Sequence, residues 1–226
     1  MVDTGGSLTG AQTGTGAQSD RLYAQVLADI HYDAVNAGPG ELLAAPATLK
    51  DLTAGGAPLL SANAGLASSD VPTGLVKPYV VKDVAGVKVA LVGITAGGAA
   101  VGSSQQVKPE KSAADALRAL LPDIHKQADL VVVLADLDPA GLSGLAGAGL
   151  DVQAILGAQS ETSPQVTVVG KTVVADGGGY GYYVDTLTLT VSPDGHVLTY
   201  ASKALPLDAQ VKDDPAVLKL RQGFSQ

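Results

Sequence analysis

Lys77-Pro78-Tyr79-Val80-Val81-Lys82-Asp83-Val84-Ala85-Gly86-Val87-Lys88-Val89-Ala90-Leu91-Val92-Gly93-Ile94-Thr95 is the stretch on which the reading of this chain turns. Tyr79 to Val84 is β-branched and aromatic, the composition of a half-buried pleated strand. Ala85-Gly86 can turn the chain, with Gly86 free to take a positive φ. Val87-Lys88-Val89 alternates briefly, and Ala90 to Ile94 is an unbroken apolar run, which reads as a strand covered on both faces. A hairpin therefore feeds a central strand. In an open α/β sheet, ligands collect where such a strand ends, here beyond Ile94.

Outward from that hairpin, strand and helix signals alternate through the first part of the chain, and antiparallel pairs follow. Residues 3 to 19 are mostly Gly, Ser, Thr and Gln with almost nothing apolar, a loop composition, and Ser19-Asp20 can cap a helix from Arg21 to Ile30. Tyr32 to Asn36 reads as a short strand, Glu41 to Leu52 as a helix interrupted at Pro46, and Leu59 to Ala62 as another strand. Ser112 opens an amphipathic helix to Gln127; Asp129 to Leu134 and Val152 to Leu156 are buried strands separated by a small-residue helix, Pro139 to Ala148. Gln165 to Val169 pairs with Lys171 to Ala175, and Tyr183 to Val191 with His196 to Ala201. A short helix from Pro215 to Gln222 closes the chain. The pattern is α/β with mixed sheets, and no internal repeat or long linker divides residues 1–226, which read as a single domain. Val132 is expected in the core, so an Asp there is expected to be severely destabilising.

Composition excludes several function classes. A net charge of −8 with no Lys/Arg run argues against nucleic acid, which needs clustered cations. No apolar run approaches the roughly 18 residues of a membrane span. The absence of cysteine removes disulfides, thiolate metal sites and a Cys nucleophile. Met1 to Gly6 has no basic n-region or apolar h-region, so no export signal is visible.

The segment Lys77 to Thr95 also resembles the middle of the 5′-nucleotidase branch of the calcineurin-like metallophosphoesterases, and the likeness extends over nearly the whole chain. It implies a four-layer αββα sandwich of two mixed β-sheets, with the first strand of the family, which carries an Asp-x-His motif, missing. Family members hold two metals on carboxylates, imidazoles and an Asn; the metals activate a water against a phosphoester. The framework of those motifs is kept here and the ligands are lost. Val2 to Gly10, with Asp3, resembles Asp-x-Gly-Asp, but Gly6 stands where the bridging Asp belongs. Tyr32 to Glu41 resembles the approach to Gly-Asn-His-Glu, with Gly38 and Glu41 kept and Pro39 and Gly40 in place of Asn and His. Leu134 to Leu137 resembles Leu-Ser-His-Leu, with Asp136 in the His place. Ile155 to Glu161 resembles Ile-Leu-Gly-Gly-His-x-His, with Gln159 and Glu161 replacing both imidazoles. Asn63 resembles the Asn of the family's Ser-Ala-Asn.

The three histidines, His31, His125 and His196, sit at a helix end, late in a helix and after a turn, where surface roles are commoner than ligation. Asp136, Glu161 and Glu41 should converge if the fold is kept. An oxygen-ligand site for Ca²⁺ or Mg²⁺ at Asp136 and Glu161 is the sharper reading of them; solvated carboxylates in a vestigial cleft is the plainer one, because converging carboxylates repel. No other cofactor is expected. The sequence thus reads as a pseudoenzyme, a binding or structural module that takes a protein partner or a flanking domain. The alternative is a metal-dependent nucleotide or phosphoester hydrolase with an unusual or externally completed metal site. The resemblance further implies a periplasmic or extracellular setting.

Overall fold

A computed structural model describes residues 1–68, 70, 72–157 and 163–224. In chain order the elements are β1 (Val2–Asp3), α1 (Gly14–Asp29), β2 (Ala34–Asn36), α2 (Pro39–Leu42), α3 (Pro46–Thr53), β3 (Leu59–Leu60), β4 (Val76–Lys77), β5 (Tyr79–Val84) and β6 (Val87–Thr95). There follow β7 (Gly98–Ala99), β8 (Gln106–Val107), α4 (Ala113–Ile124), β9 (Leu130–Asp136), α5 (Pro139–Ala146), β10 (Ala154–Gly157), β11 (Gln165–Val169), β12 (Thr172–Asp176), β13 (Tyr183–Val191), β14 (Val197–Pro206) and α6 (Pro215–Phe224).

Two sheets face one another, as the resemblance implies. The larger has the order β11-β12-β10-β9-β6-β5, with β12, β10, β9 and β6 mutually parallel and antiparallel strands at both edges. The smaller, β1-β2-β3-β4, is parallel throughout rather than mixed. Parallel pairing needs crossovers, and α1 and the α2–α3 pair supply two of them. Helices α4 and α5 close one core against Val92, Ile94, Val131, Val133 and Ile155. Leu42, Leu43, Leu49 and Leu52 close a second beneath Val35 and Leu59. Ala34, Leu60, Leu91 and Leu134 fill the layer between the sheets. The sheets touch there through backbone: a Cβ on Gly93 would lie 2.5 Å from the Leu60 carbonyl, and Ala62 donates its N–H to the Gly93 carbonyl at 2.8 Å. Only glycine allows that approach.

Local chemistry explains most boundaries. Ser112 Oγ accepts the Asp115 N–H at 3.1 Å and Asp138 Oδ1 accepts that of Gly141 at 2.7 Å, capping α4 and α5. Pro39, Pro46 and Pro139 each take the first turn of a helix, where a missing N–H costs nothing. The 85–86 turn has positive φ at both residues, Ala85 included, as a tight hairpin requires.

Three expectations are corrected. Helix α1 begins at Gly14, not Arg21, so Asp20 is no cap; it is buried inside the helix, accepting the Thr9 N–H (2.8 Å), the Thr9 hydroxyl (3.0 Å) and the Ala11 N–H (3.2 Å). That tertiary cage holds the Gly-rich first turns helical against their propensity. Asp3, read as the start of a loop, joins Val2 in a strand, and Val76–Lys77, ahead of the strand expected from Tyr79, form another, because a parallel neighbour is present. Val132 is half-buried, whereas Val131 and Val133 are fully buried, so the severe substitution site is Val133.

Among the described residues, no helix is long and apolar enough to cross a membrane.

Candidate functional site

Register brings the candidate residues to one end. β6 pairs with β9 so that Thr95 stands beside Asp136, and β10 with β12 so that Gly157 stands beside Asp176; all four close the carboxyl ends of their strands. Parallel β1 and β2 end at the same side, delivering Asp3 and then the 4–8 loop, and Asn36 followed by Gly38 to Glu41.

Glu41 organises the loop. It is fully buried, and its Oε2 accepts the N–H groups of Gly38 (2.9 Å) and Gly6 (3.1 Å), while Oε1 accepts those of Ser7 (2.9 Å) and Leu8 (3.0 Å). Burial, and then the charge of Asp3, push the Glu41 carboxyl up to about 7 against the pull of these donors. Asp3 Oδ1 accepts the Gly5 N–H at 2.7 Å; burial holds the Asp3 carboxyl above its ordinary range. Burial and the Asp3 charge also push the nearby Tyr32 phenol up to about 12.

The glycines are packed upon rather than open. A Cβ at Gly40 would lie 1.8 Å from the Leu8 carbonyl oxygen. At Gly38 it would lie 2.5 Å from Asp136 Oδ2, 2.9 Å from the Gly6 nitrogen and 3.0 Å from Glu41 Oε2. Gly6 has φ +79°, and a Cβ there would sit 3.4 Å from Asp136 Oδ1. Asp136, only 3% exposed, thus leans into the space between Gly6 and Gly38. Pro39 opens α2.

Asn63 is engaged on both sides of its amide: Nδ2 donates to the Thr95 carbonyl and Oδ1 accepts the Thr95 N–H, each at 2.9 Å. The Thr95 hydroxyl donates to the Ala37 carbonyl at 2.5 Å, which leaves Ser61 Oγ to donate to it at 2.8 Å. Asn36 Nδ2 donates to the carbonyls of Thr4 and Ile94, both at 2.9 Å. Its Oδ1 has no hydrogen-bond donor among the described residues and lies where a Cβ on Gly93 would point. This network, tying the two sheets at their carboxyl ends, was not legible in the sequence; only the Asn and Ser side chains next to strand ends hint at it. Asp176 and Asp185 were also missed: the Asp185 carboxyl is raised by burial and then by Asp176 beside it.

Gln159 and Glu161 lie outside the described residues. Two of the three imidazoles are engaged elsewhere: His125 Nε2 meets the Asp151 carbonyl at 3.1 Å, and His196 Nε2 meets Asp194 Oδ2 at 3.3 Å. Among the described residues, no three His, Asp or Glu side chains converge as a metal ion needs. The described residues do not fit the two-metal centre that the resemblance implies. Both oxygens of Glu41 are taken by backbone, Gly40 is covered by the Leu8 carbonyl, and Gly6 and Pro39 bring no donor atom.

No protein-family model matches the sequence, and no curated protein matches it. Solved structures do. A 5′-nucleotidase precursor from Thermus thermophilus superposes with a TM-score of 0.74 at 23% identity, over 100% of this chain and 48% of that one. The sulfate thiohydrolase SoxB, from the same organism, gives 0.77 at 17% identity, over 99% and 42%. The calcineurin-like phosphoesterase YfkN from Bacillus subtilis gives 0.72 at 16% identity, over 100% and 82%. The chain has the metallophosphoesterase fold of these proteins and spans about half the length of the first two.

Proposed function

We propose that this chain is a non-catalytic metallophosphoesterase-like domain, a binding or structural module of a protein working in the periplasm or outside the cell, and that it takes a protein partner or a neighbouring domain. The observation that carries this reading is the collapse of residues 6–8 onto Gly38 to Glu41. A metal-ligating side chain at position 40 has no room beside the Leu8 carbonyl, and Glu41 spends its oxygens on four N–H groups. Attack of water on a phosphoester near neutral pH needs a metal-bound hydroxide or a strong, well-placed base. Loss of metal-centred charge stabilisation costs several kcal/mol, hence orders of magnitude in rate.

The alternative is a hydrolase with a rebuilt oxygen-ligand site. It leans on Asp136, which is almost wholly buried next to Gly6, and would draw on Glu161 for Ca²⁺ or Mg²⁺. Assays with 5′-AMP and an aryl phosphate in Mn²⁺, Zn²⁺, Mg²⁺ and Ca²⁺ separate the two. No turnover above background is expected. Turnover of about one per second, a rate ordinary for an enzyme, that is abolished in Asp136→Ala or Glu161→Ala establishes the alternative instead.

A further inference from the structure

We draw no further inference here: the strongest candidate, the exposed apolar patch at the Tyr183 end of the β13–β14 ribbon, where Val184 stands across from Leu205 and Tyr182 across from Leu207, carries nothing because nothing in the structure shows what covers it.

Discussion

Burial lifts the Glu41 carboxyl from an ordinary 4.5 to about 7, with the Asp3 charge adding to it. The folded state thus holds that proton more tightly than the unfolded chain does. Its contribution favours folding fully below pH 4.5 and is lost as pH rises through about 7, with Asp3 acting in the same direction. A loss of order 3 kcal/mol across that window is expected from the linkage. Thermal melts at stepped pH should show the midpoint falling over this range. Glu41→Gln should flatten the dependence, and it should cost about 2–4 kcal/mol against the ionised parent because an amide nitrogen cannot accept the N–H groups it faces. Gly40→Ala tests the collapsed loop directly. The obstacle at 1.8 Å is backbone, the Leu8 carbonyl, so relaxation is costly and about 3 kcal/mol or more should be lost in urea unfolding.

At the scale of elements, β9 separates two neighbouring valines by face. Val133 points into the core closed by α4 and α5, fully buried, and Val132 points into the half-covered layer. Val133→Asp buries an unpaired charge and should cost more than about 4 kcal/mol, enough to lose soluble protein. Val132→Asp should keep the fold, with a circular dichroism spectrum like the parent's and a lower midpoint. Comparable losses in both would show the layer to be closed. Ser112→Ala removes the side-chain acceptor at the start of α4 and should cost about 1 kcal/mol, a value chemical denaturation resolves.

Across the whole molecule, protection should follow layering. Amides of β6 and β9, in the centre of the larger sheet with Ile94, Val131 and Val133 fully buried, should exchange only by global unfolding. Amides of β13 and β14 should exchange orders of magnitude faster, since almost every residue of β14 is exposed and no third strand pairs with the ribbon among the described residues. Equal protection of both would mean that the ribbon is anchored more firmly than its burial implies.

The hairpin from Tyr79 to Thr95, the buried strand at Leu130 and the capped helix after Ser112 were legible because each is decided within its own segment: apolar period, turn glycine and cap chemistry agree locally. That Gly6, Pro39 and Gly40 carry no side-chain donor atom was legible for the same reason, since a residue without a ligating side chain lacks it in any fold. What the sequence could not express is contact between distant segments. Helix α1 extends through Gly14 and Gly16 because Thr9 and Ala11 lock onto buried Asp20, and two-residue strands exist only because parallel neighbours receive them. The fate of Glu41 belongs to the same class. Its carboxylate is of a type able to bind a cation; the Gly38 N–H of its own helix cap takes one place locally, and only the folding of residues 6–8 onto it decides that three further backbone N–H groups take its oxygens first. Local pattern is written in residue order, whereas the desolvation and hydrogen bonding that assign a buried carboxylate its role come from groups more than thirty residues away.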